Sequence, residues 1–283
     1  MIQNDNFTVR KFRRNPGRVM DWSYRYLTAT WRALPAFLII GTQKGGTTSL
    51  YSYLEGHPNM IGTFRKEVKF FDCNYLLGLR WYRSHFPYQS ALRGKHAQTG
   101  EASPYYMYHP TALARIKKHL PDVKLIALLR NPVERAYSDY HHMFRSGRET
   151  LSFDEAISQE EDRIRGEAEK IANDPYYSVY KHMHFSYLGR GRYAEQLTRL
   201  FELFPREQVL ILISEDLFSK PSFVFQRVLD FLDLPEWHPT QYRTLNQGDY
   251  SGMPSQTRQR LVSYFKPYNA QLEELLKIKL DWK

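Results

Sequence analysis

The sequence predicts an α/β fold, a single domain built on a central parallel sheet flanked by helices. Three observations predict it. Short apolar runs at 36–41, 123–129 and 209–213 have the length and composition of strands buried on both faces. Segments with apolar residues at helical spacing separate them, which implies parallel pairing through right-handed crossovers. At 283 residues the chain can bury a sizeable core, and α/β folds of this length are often one domain.

The elements follow in order. Residues 1–35 read as a basic and aromatic extension packed on the core, with Trp22, Tyr24, Tyr26 and Trp31 in a helix, and 36–283 as the main domain. The first strand leads through a glycine turn to a helix at about 47–56, which stops near Gly56-His57-Pro58. Residues 62–98 are irregular and rich in Phe, Tyr and Arg, and a connection this long is expected to be functional or to carry short helices of its own. A helix at 110–119 precedes the 123–129 strand, which Pro121-Asp122 starts, and a helix at 132–145 follows it. The charged stretch 152–172 reads as an exposed amphipathic helix. Tyr193, Leu197, Leu200, Phe201 and Phe204 keep helical spacing, and a helix at 223–232 follows the 209–213 strand. There is no internal repeat or low-complexity tract.

Composition narrows the function. A hydrophobic fraction of 42% with 15 scattered prolines is globular, and no segment approaches the ~18 consecutive apolar residues that span a bilayer. The opening MIQNDNFTVRKFRRNPGR is charged but has no apolar core behind it, so it is not a secretory signal. The single cysteine, Cys73, excludes an internal disulfide. A soluble, cytoplasmic chain is the expectation. The formal net charge of +10 points to an anionic partner. Arg10, Lys11, Arg13 and Arg14 read as a loose tail rather than a polyanion or membrane contact, and no nucleic-acid partner is expected. The sequence leaves the oligomeric state open.

Residues 37–50, FLIIGTQKGGTTSL, are the most informative. A strand, a turn containing Lys44, Gly45 and Gly46, and a helix opening on Thr47, Thr48 and Ser49 together form a cradle for a phosphate-like anion. Gly41 and Gly46 have the spacing of a nucleotide-binding P-loop, but Thr47 stands where that loop has lysine, and the lysine lies within the turn. The 123–129 strand ends in Arg130, a cation, where an Mg²⁺-dependent nucleoside triphosphatase would offer a carboxylate. No metal requirement is therefore expected.

The loop GTQKGGTTSL and the stretch LLRNPVERAYSDY (128–140) resemble the 5′-phosphosulfate and 3′-phosphate elements of sulfotransferases that use 3′-phosphoadenosine 5′-phosphosulfate (PAPS). KEVKFFD (66–72), GEASPYY (100–106) and the closing stretch from Tyr264 to Trp282, which looks like a terminal helix, are similar to the heparan-sulfate-type branch, so the resemblance runs from about residue 36 onward. It implies the P-loop-like sulfotransferase fold, PAPS as co-substrate and 3′-phosphoadenosine 5′-phosphate (PAP) as product. The acceptor would be a carbohydrate, a glycolipid or a small natural product bearing a hydroxyl or an amine. Eukaryotic relatives of this kind are luminal and membrane-anchored, so a luminal fragment lacking its anchor is the alternative location.

The resemblance also assigns residues. Lys44 binds the 5′-phosphosulfate and stabilises the leaving bridging oxygen, and Gly45, Gly46, Thr47, Thr48 and Ser49 offer N–H groups and hydroxyls to the 5′-phosphate. Arg130 and Ser138 grip the 3′-phosphate. Glu67 is the general base, with Lys66 and Lys69 beside it, and Lys69 and Asp72 line the acceptor side. Lys69 stands where some members carry His. The clearest departure is Leu245–Pro254, which has no basic residue where many members carry a basic loop, leaving Tyr250, Ser251 and backbone groups to cover the nucleotide. Among the ten histidines, His109, His182 and His184 are competing bases with no motif behind them. The alternatives are a P-loop kinase or nucleoside triphosphatase, which requires metal, and a non-catalytic polyanion-binding protein, whose binding would ignore the 3′-phosphate.

Overall fold

Each apolar run becomes a strand whose alternate side chains enter different cores. A computed structural model describes residues 16–245, 248 and 252–282. Strands β1 (Phe37–Gly41), β2 (Gly100–Ala102), β3 (Lys124–Leu129) and β4 (Val209–Ile213) form one sheet in the order β2-β1-β3-β4. All three pairings are parallel, with Phe37 opposite both Gly100 and Lys124, and Leu125 opposite Val209. Leu38, Ile40, Leu125, Ala127 and Leu129 belong to the core on one face, and Phe37, Ile39, Ile126 and Leu128 to the core on the other. A third cluster joins the Pro132–Arg145 helix, through Val133, Ala136 and Tyr140, to Leu261 and Phe265 of the Ser255–Leu276 helix.

The expected strand and helix positions at 36–56, 110–145 and 209–213 are found within a residue or two. The long 62–98 connection carries a 3-10 turn, Tyr75–Leu77, and two short helices, Gly78–Arg83 and Gln89–Lys95. Strand β2 has only three residues, too few for periodicity to reveal, and is marked by close packing. A Cβ on Gly100 would fall 2.4 Å from the Phe37 ring.

Three expectations need correction. The 152–172 stretch is not one exposed helix but three short ones, Phe153–Ser158, Glu160–Ile164 and Glu167–Asn173, the last entered through Gly166 at φ 69°. Its charge does not all face water: Glu160 is buried and accepts the main-chain N–H groups of Leu188 (2.6 Å) and Gly189 (2.8 Å). The terminal helix runs from Ser255 to Leu276, earlier at both ends than the 264–282 reading, with Pro267 inside it. In the N-terminal helix, Pro16–Leu27, Trp22 and Tyr26 pack against the core, whereas Tyr24 is 58% exposed and Trp31, in the following 3-10 turn, 66% exposed. The tail residues Arg10, Lys11, Arg13 and Arg14 lie outside the described residues. No described helix is long and apolar enough to cross a membrane.

Burial has a consequence at His85, whose ring packs edge-on against Trp81 and whose two ring nitrogens meet no hydrogen-bond partner among the described residues. Burial, with Arg65 and Arg25 nearby, pushes its pKa down to about 3. The folded value lies below the ordinary imidazole value, so this group's contribution to stability is intact above about pH 6.5 and is lost as the pH falls toward 3. His85→Phe should match or exceed the parent in urea midpoint at pH 7.5. Its advantage should widen by up to ~1.4 kcal/mol per pH unit between pH 6.5 and 5. A pH-independent difference between the two unfolding curves would contradict a neutral buried imidazole.

Candidate functional site

The strand order fixes where a ligand can enter. From β1 the chain turns to β2 on one side, and from β3 to β4 on the other, so a crevice opens between the carboxyl ends of β1 and β3. Residues 42–46 cross it, tied at nearly every step. Thr42 N–H donates to the Leu128 carbonyl (2.7 Å), Arg130 Nη1 to the Lys44 carbonyl (3.0 Å), and Ser214 Oγ to the Gly45 carbonyl (2.7 Å). Arg190, itself buried, donates to Gln43 Oε1. Gly46, at φ 91°, caps the Thr47–Glu55 helix, and a Cβ there would come within 3.1 Å of Phe218. Lys44 takes the left-handed region too, at φ 68°.

The crevice widens into a cleft of ≈ 870 Å³. Lys44, Gly46, Thr47, Thr48, Arg130 and Ser138 line it, and Glu67, Lys69 and Asp72 line it as well. Two predicted residues are placed differently. Gly45 gives its carbonyl to Ser214, and a Cβ on it would sit 2.8 Å from Thr42 Cγ2, so its small size serves the packing of the turn. Ser49 is fully buried and accepts the Leu245 N–H (2.9 Å), fastening the later stretch to this helix. Tyr250 and Ser251 lie outside the described residues, while Thr244, Leu245 and Gly248 line the cleft.

The cleft is electrically divided. Burial, with Arg145 and Arg130 nearby, lowers the pKa of Lys44, and Asp139 opposes this. Glu67 lies 3.8 Å from Lys66 Nζ and 3.4 Å from Lys69 Nζ, and Lys66 also donates to the Thr48 hydroxyl. Burial works against the Lys69 ammonium, but Glu67 and Asp72, with Cys73, outweigh it and raise its pKa. Lys69 is a further left-handed residue, at φ 54°. Burial pushes Asp72 up to about 6 although Lys69 pulls it down.

Sequence reasoning passed over His142, Arg145 and Arg148, which line the same cleft. A signal existed for two of them. Ser138, His142 and Arg145 stand at i, i+4 and i+7 of the Pro132–Arg145 helix, one face of it, so the helix that presents Ser138 presents them as well. Of the three competing histidines, only His184 reaches the cleft lining. Its Nδ1 lies 2.8 Å from the Tyr180 carbonyl, so Nδ1 carries the proton and Nε2 is the basic nitrogen. Burial, with Arg148, Arg190 and Lys69 nearby, pushes His184 down to about 4, which makes it a poor base. His109 and His182 are buried and pushed down to about 3, and His182 stacks on Tyr108. Among the described residues no cluster of three or more His, Cys, Asp or Glu could hold a metal ion.

Chemically, the lining offers several groups suited to an anion. These are a helix N-terminus, the Thr47 and Thr48 hydroxyls, the Lys44 ammonium, the Arg130 guanidinium and the Ser138 hydroxyl. A carboxylate, Glu67, shares the cleft with Lys44.

Comparisons with known proteins agree with this architecture. The family model "Sulfotransferase domain" matches residues 34–264. A membrane-associated sulfotransferase, kil1, of Dictyostelium discoideum is 29% identical over 314 residues, covering 88% of this chain and 66% of that protein. A bifunctional heparan sulfate N-deacetylase/N-sulfotransferase 1 of Caenorhabditis elegans is 33% identical over 218 residues, 75% of this chain and 23% of that protein. The chain thus spans less than two thirds of the length of these curated relatives. Among solved structures, a sulfotransferase from Alicyclobacillus acidocaldarius is 32% identical, with a TM-score of 0.70 over 88% of this chain and 98% of that one.

The strained turn gives a prediction. Gly46→Ala places a side chain at φ 91° and against Phe218, and should lower stability by more than ~1 kcal/mol in urea unfolding. By calorimetry, the same variant should bind inorganic pyrophosphate roughly tenfold more weakly, a loss of ~1.4 kcal/mol. Unchanged stability and affinity would show that the turn tolerates another geometry.

Proposed function

The chain belongs to the sulfotransferase domain family and has the family's P-loop-like fold, and from that premise we propose that it transfers the sulfuryl group of PAPS to a carbohydrate-type hydroxyl or amine. One observation carries the reading. Lys44 and Arg130 are not merely on neighbouring strand tips but joined, side chain to carbonyl, so a single nucleotide can engage both. The donor set fits PAPS: hydroxyls, main-chain N–H groups and an ammonium suit the 5′-phosphosulfate, and a guanidinium with a serine suits the 3′-phosphate. PAPS supplies the sulfuryl group and leaves as PAP.

The residues divide the remaining work. Thr47, Thr48 and Gly46 bind the 5′-phosphate at the start of the helix, and Arg130 and Ser138 fix the opposite end of the nucleotide. Lys44 stands where negative charge develops on the bridging oxygen. Its lowered pKa makes its proton easier to share with that oxygen than an exposed lysine's would be. Glu67 takes the acceptor's proton as the acceptor oxygen or nitrogen bonds to sulfur. Lys66 and Lys69 keep its carboxylate in place from either side. Two imidazoles, His142 and His184, lie on the cleft wall among the described residues, and burial lowers the pKa of each, which argues against either as the base.

The acceptor class is supported by the heparan sulfate names of the relatives, and Lys69, Arg145 and Arg148 add positive charge to the cleft lining. The 245–254 stretch lacks the basic loop of many such enzymes, so Arg130 and Ser138 bear more of the 3′-phosphate recognition here.

Three measurements test the reading. Calorimetry should find adenosine 3′,5′-bisphosphate bound at least ~100-fold more tightly than 5′-AMP, about 2.7 kcal/mol. Near-equal affinities would defeat the donor assignment. Glu67→Gln should lower kcat by roughly 10²–10⁴ with bisphosphate affinity kept within about twofold. Transfer of labelled sulfate should persist in EDTA, since no step is assigned to a metal. Abolition by EDTA with rescue by Mg²⁺ would favour the P-loop kinase or nucleoside triphosphatase alternative.

A further inference from the structure

The segment that carries Glu67 has no helix or strand to hold it, yet it must present a carboxylate and an ammonium to the cleft at fixed places. Its main-chain donors are instead satisfied from one direction. Val68 N–H donates to Glu101 Oε2 (3.0 Å), Lys69 N–H to Ser103 Oγ (3.2 Å), and Phe70 N–H to the Tyr106 hydroxyl (2.8 Å). Phe71 N–H reaches the same Tyr106 oxygen at 3.4 Å. Four consecutive N–H groups thus point at three side chains from β2 and the turn after it.

Those side chains converge on a single group. Ser103 Oγ donates to Glu101 Oε2 (2.9 Å), and Tyr106 and Tyr82 donate to Oε1 (2.9 and 2.8 Å). A hydroxyl that gives its proton to a carboxylate turns its lone pairs outward, ready to accept an N–H. Glu101 itself is fully buried, lies in the three-residue strand β2 opposite Leu38, and does not line the cleft. A buried carboxylate with four donors and no cation beside it is costly to keep unless those hydrogen bonds matter. No step of the reaction uses it.

We propose that Glu101 is the positioning residue for the base: by accepting from Tyr82, Ser103, Tyr106 and Val68 N–H it orients the acceptors that hold residues 68–71, and so fixes Glu67 and Lys69 against the nucleotide site. The inference rests on the reading of Glu67 as the base. It explains how Lys69 is kept at φ 54° in a segment without regular structure. It also explains why the three-residue strand β2 is built into the sheet beside β1: the strand carries the carboxylate under the base segment. Glutamine in its place has one acceptor oxygen and two N–H donors, and cannot receive all four.

The test separates positioning from general stability. Glu101→Gln should lower kcat by roughly 10–100-fold while the Kd for adenosine 3′,5′-bisphosphate stays within about twofold, because the nucleotide cradle does not touch Glu101. In a Glu67→Gln background the same substitution should cost less than about twofold, since a group that acts through the base has nothing left to position. If Glu101→Gln fails to fold, Tyr106→Phe removes the acceptor of the Phe70 and Phe71 N–H groups and one donor to Glu101. It should lower kcat about tenfold with the same non-additivity. Equal fold losses in both backgrounds, or full turnover in Glu101→Gln and Tyr106→Phe beside a crippled Glu67→Gln, would overturn the positioning role alone. Full turnover in Glu67→Gln would instead remove the base assignment, and the inference with it.

Discussion

The hydrogen bond from the Arg130 guanidinium to the Lys44 carbonyl ties the ends of two neighbouring strands together at the cleft. It is charge-assisted, in a class with a net worth of about 1.5–3 kcal/mol. A lysine held in the left-handed region costs about 1–2 kcal/mol, so the bond offsets a conformation the turn would not keep unaided. Arg130 is steadied in turn: the Tyr193 hydroxyl donates to its carbonyl (2.8 Å), and the next main-chain N–H, of Asn131, donates to Glu215 (2.9 Å). Ser214, on the Gly45 carbonyl, and Glu215 are adjacent, so the end of β4 supports both neighbours. The crevice is therefore a property of three strand tips, and the parallel sheet brings all three to the same edge.

Buried carboxylates receive main-chain N–H groups at several turns of the chain. Glu160 receives the N–H groups of Leu188 and Gly189, and Glu149 those of Thr150 and Leu151 together with the Tyr187 hydroxyl (2.8 Å). Asp139 sits between Arg135 (3.0 Å) and Arg190 (3.8 Å). It is also the negative charge that works against the burial of Lys44. The cations in the cleft and the acids behind it are one arrangement, in which each inward-facing carboxylate replaces a missing ladder partner or a missing counter-ion. Removing one partner of such a set leaves the others buried and uncompensated, so these positions tolerate substitution poorly for reasons unrelated to chemistry.

The first and third strands, the glycine turn and the Arg130 tip were legible because each has a local signature: an apolar run, a Gly-Gly turn before hydroxyls, a cation where a run stops. The helix carrying Ser138 was legible too, yet the residues that share its cleft-facing side were not read from it, although their four- and three-residue steps from Ser138 spell it out. β2 was illegible because three residues hold no period, and its evidence is the Phe37 ring pressed against Gly100. The 152–172 stretch misled because charge density reads as solvent contact, and two of its glutamates, Glu160 and Glu167, are buried in order to cap turns or meet a tyrosine hydroxyl far along the chain or nearby. Ser49 was read by its neighbours, as one of three hydroxyls opening a helix. Its rotation about the helix axis turns it away from the other two and toward Leu245.

Two of the three lysines proposed to serve the site stand at positive φ, Lys44 at 68° and Lys69 at 54°. An alanine scan would therefore mix two effects there, since alanine keeps the backbone penalty while deleting the charge and the packing of the long aliphatic stem. Glycine is the cleaner probe: it accepts the same dihedral angles and relieves the strain, so a difference between the glycine and alanine variants at each site measures how much of the local geometry is maintained by force. An enzyme engineer seeking a sturdier scaffold would find that relief at the very positions whose side chains are proposed to serve turnover.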